Sequence, residues 1–261
     1  MSATTTPSSE DAPLHDAHSQ NRWFFGRRYA NSFHQRVIEF FGIIGYFVCT
    51  GLCAVKMSQV IGGVDPLVAA GVGAATFAFS FLVADFVSGL VHWMGDTFGT
   101  EDWPFVGPMF IRPFRIHHVD PKDITLHDFI ATNGNASVVL MLFLGPVTFL
   151  APTSWGLGSF AILTFALGMS LGIFFTNQFH KWAHESDPPA LARLLQRFHL
   201  VLTSPGHDIH HTHPFRESYC ITTGWLNPLF DRIQLWRKLE AVVSSVTGND
   251  YSEGGKLKGY D

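Results

Sequence analysis

The sequence is short of charge. Only 15% of its 261 residues are Asp, Glu, Lys or Arg, against roughly 25% in an ordinary soluble chain. The formal net charge of -4 gives no basic surface for a nucleic-acid partner. There are only three cysteines, Cys49, Cys53 and Cys220. They form no disulfide framework and no C-x-x-C site. Cys49 and Cys53 stand four apart inside an apolar run, where packing accounts for them. No secretory signal pattern opens the chain, because the first long apolar run comes too late and is too long. Residues 1–20 have almost no large apolar side chains and read as a disordered tail, with His15 and His18 solvated in it. The expected organisation is a disordered, basic N-terminal segment over 1–34, a membrane domain over 35–248 and a flexible tail over 249–261.

Apolar residues are abundant, with 25 Phe and 7 Trp. A helix needs about 20 mostly apolar residues to cross a bilayer. Four segments approach that requirement: 37–60, with Lys56 near its end; 66–93, with Asp85; 136–151, short and containing Pro146; and 155–179, free of charge. The third is a full span or a re-entrant leg. Lys and Arg fix the orientation. Arg22, Arg27, Arg28 and Arg36 precede the first span, and Arg112, Arg115 and Lys122 follow the second. Lys181, Arg193, Arg197, Arg216, Arg232, Arg237 and Lys238 follow the fourth. The connectors at 62–65 and 152–154 carry neither residue. Four crossings then put both termini and the long central loop in the cytosol.

Nine of the 14 histidines fall in four groups. They are His92; His117, His118 and His127; His180 and His184; and His207, His210 and His211. The topology above collects all nine on one face, whereas three spans would divide them. Neutral imidazole is the commonest metal ligand, and so many donors exceed the need of one tetrahedral zinc. His180 and His184 are one helical turn apart and point the same way. The first of them is not followed by Glu, so the pair is not the zinc-protease H-E-x-x-H. If residues 207–211 are helical, His207 and His210 share a face. His211 then points about 100° away, toward a second metal. His117 and His118 divide similarly. All-imidazole ligation suits iron, zinc or copper, and the ligand count favours two ions. The chain is thus expected to be an all-α integral membrane protein of about four transmembrane helices, with a cytosolic histidine-rich di-metal face. Two irons at a membrane point to oxygen activation against an unreactive C–H bond of a lipid chain.

Polar neighbours complete the reading. Asp85 lies seven residues before His92, deeper in the second span, and an intramembrane acid is a functional candidate. Asp85, Asp96 and Asp128 are candidates to accept from a ligand's other ring nitrogen. Asn133 and Asn177 are candidates to bond the site or a water there. Arg112, Arg115 and Lys122 are candidates for a lipid phosphate, beside their ordinary positive-inside role. Residues 189–203 place Leu191, Leu194, Leu195, Phe198 and Leu202 at helical spacing. This segment is an amphipathic helix, lying either in the headgroup region or on the domain.

The stretches A-D-F-V-S-G-L-V-H-W (84–93), I-R-P-F-R-I-H-H-V-D-P-K-D-I-T-L-H-D-F-I-A-T-N-G (111–134), T-N-Q-F-H-K-W-A-H (176–184) and H-D-I-H-H-T-H-P-F-R-E-S-Y-C-I-T-T-G-W-L-N (207–227) resemble the plasmanylethanolamine desaturase family of membrane lipid desaturases. The resemblance covers about residues 35–248. It implies two iron ions, with O2 as co-substrate and an ether phospholipid as substrate. The 1-O-alkyl chain of that lipid becomes a vinyl ether, giving a plasmalogen. The implied electron donor is cytochrome b5 or a ferredoxin-like protein. The implied ligands are His92, His117, His118, His180, His184, His207, His210 and His211, with His127 less firmly attached. His213, His199 and His34 stay outside the set. The membrane would be a bacterial inner membrane or the endoplasmic reticulum. The alternatives are another membrane di-iron lipid oxidase, an acyl-lipid desaturase or hydroxylase, and a histidine-rich metal transporter. A transporter would place its site near the bilayer midplane, not at one face.

Overall fold

The computed structural model describes residues 33–104 and 106–251, apart from the side chains of Pro108 and Met109. The expected N-terminal tail and the end of the C-terminal tail lie outside the described residues. Among the described residues there are helices and no strands. The helices are α1 (Phe33–Val60), α2 (Pro66–Thr97), α3 (Arg112–Val119), α4 (Phe129–Leu150), α5 (Leu157–His184), α6 (Ala190–Arg197), α7 (Ser204–Asp208), α8 (Asn227–Arg232) and α9 (Leu235–Thr247). Four of them, α1, α2, α4 and α5, are long and apolar enough to cross a membrane.

Each spanning helix reaches past its apolar window. α4 begins at Phe129, well before residue 136, because Asp128 caps it through the Ala131 N–H at 2.8 Å. Its early polar residues are then satisfied on its own backbone. Thr132 Oγ1 donates to the Asp128 carbonyl, Asn133 Nδ2 to Phe129 and Ser137 Oγ to Asn133. Pro146 removes one helical hydrogen bond without ending the helix. At 1.5 Å per residue α4 is about 33 Å long, enough for a full crossing. The α1 span also holds Glu39, which the hydropathy pattern passes over. Its buried side chain accepts from Gln35 and sits 3.6 Å from Arg36.

Small residues set the helix pairing. On α2, Ser80, Ala84, Ser88, His92 and Asp96 recur every four residues and are all buried. On α5, Gly168, Gly172, Thr176, His180 and His184 have the same spacing, the first four buried and His184 half-buried. A Cβ on Gly172 would stand 2.6 Å from the Ala84 Cβ, and one on Gly168 would meet Ser80. The two rows therefore face each other in close contact, as small-residue stripes do in membranes. The same rows carry histidines at their far ends, so the apolar contact brings the histidines together. Between α1, α4 and α5 lies a further core cluster that includes Tyr46, Cys53, Leu140, Leu144, Leu163 and Phe174.

Candidate metal centre

Two donor groups lie at the end of the bundle. His117, His180, His184, His207 and His211 form one, with ligand atoms all within 4.8 Å of one another. His92, Asp96, His118 and His210 form the other by the same measure. They are brought in by α2, α3, α5 and the α7 region, so no short segment could build either alone.

In the five-histidine group the contacts run Nε2 to Nε2. His184 meets His180 at 3.2 Å, His180 meets His207 at 2.7 Å, His207 meets His211 at 3.1 Å and His211 meets His117 at 3.1 Å. A neutral ring nitrogen has either one N–H or one lone pair. Each can enter one hydrogen bond, so five such atoms form at most two bonds among these four contacts. Five lone pairs converging on a cation resolve the arrangement. With metal–nitrogen bonds of about 2.1 Å, adjacent ligands at right angles lie about 3.0 Å apart, which matches the observed spacing. Burial first, then neighbouring imidazoles, hold His117 and His207 well below the ordinary histidine range and His211 down to about 2. The rings are therefore neutral, the form that binds metal.

In the second group, backbone carbonyls set the tautomers. His92 Nδ1 lies 3.1 Å from the Tyr219 carbonyl and His210 Nδ1 lies 2.8 Å from the Glu217 carbonyl. A ring nitrogen facing a carbonyl carries the proton and donates it. In the neutral form of each ring, the Nε2 atom is then a bare lone pair. Yet these two atoms face Asp96 Oδ2 at 3.5 and 3.4 Å, and His118 Nε2 faces the same oxygen at 3.0 Å. His92 Nε2 is buried with no hydrogen-bond partner, an arrangement costing about 1–3 kcal/mol if left so. Lone pairs aimed at a carboxylate oxygen call for a cation between them. Both groups fit a metal.

A lipid desaturase domain family matches residues 81–252. The chain belongs to that family. The matched region contains all nine motif histidines and Asp96, and leaves out α1. The chain is 46% identical to a plasmanylethanolamine desaturase of Myxococcus xanthus over 171 residues, 64% of this chain and 59% of that protein. It is 43% identical to plasmanylethanolamine desaturase 1 of Mus musculus over 194 residues, 70% of this chain and 67% of that one. It is also 32% identical to fatty acid desaturase 4, chloroplastic, of Arabidopsis thaliana, over 74% of this chain and 58% of the relative. The aligned part thus spans about three fifths of the Myxococcus relative. No solved structure matches the chain.

Within this lipid desaturase domain, eight of the nine expected histidines fall in the two donor groups. His127 does not. It lies 3.5 Å from Asp123, and its carbonyl accepts from Lys181. The adjacent His117 and His118 go to different groups. The last triplet divides differently: His207 joins His211, and His210 goes to the other group. The His211 N–H reaches the His207 carbonyl at 3.3 Å, so the i,i+4 pair lies on one side with its rings edge to face, while the Glu217 carbonyl draws His210 aside.

The polar candidates change roles. Asp96 stands within the second donor group itself, beside His92, His118 and His210. Asp85 touches no histidine. Its Oδ1 accepts from the Thr223 and Gly224 N–H groups at 2.7 and 2.9 Å, and its Oδ2 from Leu226 at 3.1 Å. It fastens the loop whose Glu217 and Tyr219 carbonyls orient His210 and His92. Ser88 helps, accepting from Ile221. Asp128 pairs with Arg36 and caps α4. Asn133 bonds within α4, and Asn177 ties α5 to the Thr132 carbonyl. Arg115 is buried, donating to the Phe98 and Gly99 carbonyls beyond α2. It is not available to a headgroup. Arg112 lies 3.8 Å from Glu101, and exposed Lys122 donates to Ser186. The orienting carbonyls of Glu217 and Tyr219 had no sequence signature. Asp96 had one, its place one turn after His92.

Proposed function

We propose that this chain is a membrane lipid desaturase that converts the 1-O-alkyl chain of an ethanolamine ether phospholipid to a vinyl ether, yielding a plasmalogen. The observation that carries the proposal is the pair of converging donor groups at one end of four apolar helices. Supporting it are the names of the bacterial and mouse relatives. The reaction balances as loss of one hydrogen from each of two adjacent carbons, with O2, two electrons and two protons giving two waters. Two iron ions would be held by His117, His180, His184, His207 and His211 on one side and by His92, Asp96, His118 and His210 on the other. When bound, iron supplies the oxygen chemistry that can attack an unactivated C–H bond.

The chain's own residues do the rest. The Tyr219 and Glu217 carbonyls hold protons at Nδ1 of His92 and His210, keeping Nε2 for the metal. Asp96 contributes negative charge to the half with fewer imidazoles. The packed α2 and α5 rows exclude water behind the site. Orientation by Lys and Arg puts the donors at the cytosolic face. A chain lying among the helices would then be met close to its headgroup, where the vinyl ether forms. Electrons would come from a small one-electron carrier such as cytochrome b5 or a ferredoxin-like protein. Lys122, exposed beside Ser186 just beyond α5, is the better of the basic candidates for the lipid phosphate.

Lipid analysis of plasmalogen-deficient cells expressing this chain and supplied with alkyl ether lipid tests the assignment. Acid-labile ether lipid should accumulate. New double bonds in mid-chain acyl groups without it would make the chain an acyl-lipid desaturase instead.

A further inference from the structure

The short helix α6 carries two kinds of surface. At about 100° per residue, Ala192, Leu195 and Gln196 share one side. Ala192 is fully buried, Leu195 packs on the cluster around Phe179 and Leu202, and Gln196 donates to the Leu202 carbonyl. Leu191, Leu194 and Phe198 lie on another side and are 59%, 52% and 64% exposed. Arg193 and Arg197 fill the sector between them, and both are exposed. The helix thus presents a protein face, a cationic face and a bare apolar face.

Water is a poor environment for three large apolar side chains in one sector. Four features identify the occupant. The segment follows directly from α5, whose apolar length is of membrane-spanning type. The arginines beside the apolar sector suit anionic phosphates and can extend toward them. Leu200 and Trp225 continue the exposed apolar surface at 47% and 42%, and Trp favours the membrane–water interface. Finally, the protein-facing side is already filled, so the bare sector is not a gap in the domain's own core.

We infer that α6 is an interfacial anchor, with Leu191, Leu194 and Phe198 inserted at the level between headgroups and acyl chains. The inference rests on the four-span membrane reading above. It has a consequence for the site. α6 joins His184 to His207, so two pairs of donors leave from the two ends of the anchor. Its depth in the bilayer fixes the depth of the metal centre, close to the headgroups.

The test is depth profiling by electron paramagnetic resonance in phospholipid vesicles. A nitroxide is attached to single cysteine substitutions of the full chain, Leu191→Cys, Arg193→Cys, Leu194→Cys, Arg197→Cys, Phe198→Cys and Ile44→Cys. The native cysteines are buried or half-buried. Molecular oxygen, which concentrates in hydrocarbon, competes with a water-soluble nickel chelate as relaxing agent. The oxygen-to-nickel ratio should be several-fold higher at 191, 194 and 198 than at 193 and 197. Nickel-dominated relaxation at 191, 194 and 198 would overturn the anchor, as would weak access by both agents, which means a covering protein surface. Ile44, exposed in the middle of α1, separates the two hypotheses. Oxygen must dominate there, and nickel dominance would remove the membrane reading together with the anchor.

Discussion

Replacing Asp85 with Ala removes a carboxylate that touches no metal donor, yet it fastens part of the loop that orients two of them. Three buried or half-buried backbone N–H groups, of Thr223, Gly224 and Leu226, lose their acceptor. Each orphaned donor costs about 1–3 kcal/mol. The three share one anchor and will not add fully, so about 3–5 kcal/mol of local stability is at stake. The loop they belong to supplies the Tyr219 and Glu217 carbonyls that orient His92 and His210. Loosening it weakens the hold on two of the four donors in the Asp96 group, with Asp231 and Asn227 still bonding Ser218 and Cys220, and leaves the five-histidine group intact. Asp85→Ala, purified with iron supplied, should therefore keep one metal more firmly than the other, with lower total content and a lower melting temperature. Asp85→Asn keeps the Oδ1 acceptor and replaces Oδ2 with a donor facing Leu226, so its loss should be smaller. Metal analysis and thermal melts in detergent provide the readout. A fully loaded Asp85→Ala protein with an unchanged melting temperature would refute the reasoning that this loop holds the second group.

Other outcomes follow from the same geometry. His184→Ala removes a donor of the five-histidine group, and product formation should fall to background with expression intact. His127→Ala, outside both groups, should retain metal, and half of wild-type activity surviving in His184→Ala would show the donor set to be wrong. Gly172→Leu puts a side chain where even a Cβ stands 2.6 Å from Ala84. It should separate α2 from α5, cost about 1–3 kcal/mol or more and lower metal content, and a Gly172→Leu protein that binds and melts like wild type would remove the small-residue row from the account. The metal-free protein should lose stability as pH falls. His117, His207 and His211 titrate below their unfolded value of about 6.5, so below that pH the unfolded chain binds more protons than the folded one. Each contributes up to about 1.4 kcal/mol per pH unit there, and melts between pH 8 and pH 5 should show the decline beginning near 6.5, whereas a flat profile would contradict neutral buried rings.

Much of the fold was legible because bilayer thickness constrains helix length so strongly. The four spans could be read from apolar runs, but their ends on the histidine side could not. α4 starts early because Thr132, Asn133 and Ser137 satisfy themselves on their own helix, which a hydropathy count treats as polarity. Glu39 was hidden for a related reason, one acid diluted in a long apolar segment. Eight of the donors were visible from spacing and from the family resemblance. The roles behind them were not. An acid seven residues before a histidine looks like its partner, but Asp85 reaches a loop more than a hundred residues away. Arg115 looks like a headgroup cation until the chain turns and buries it against Phe98 and Gly99. The pairing of His207 with His211 instead of His210 depended on the carbonyl of Glu217, and backbone carbonyls carry no sequence identity. The two readings of residues 189–203 could not be separated in the sequence, because the side of α6 that packs on the domain is set by contacts with the distant Phe179 and with Leu202.

Isotopic labelling shows directly which carbons of the substrate lose hydrogen. Purified, iron-loaded protein is supplied with plasmanylethanolamine deuterated at carbons 1 and 2 of the alkyl chain, with oxygen and a reducing partner. The account predicts an acid-labile product in which each of those carbons has lost one deuterium, with none formed without oxygen. Retention of all the label, with unsaturation appearing farther along an alkyl or acyl chain, would contradict it.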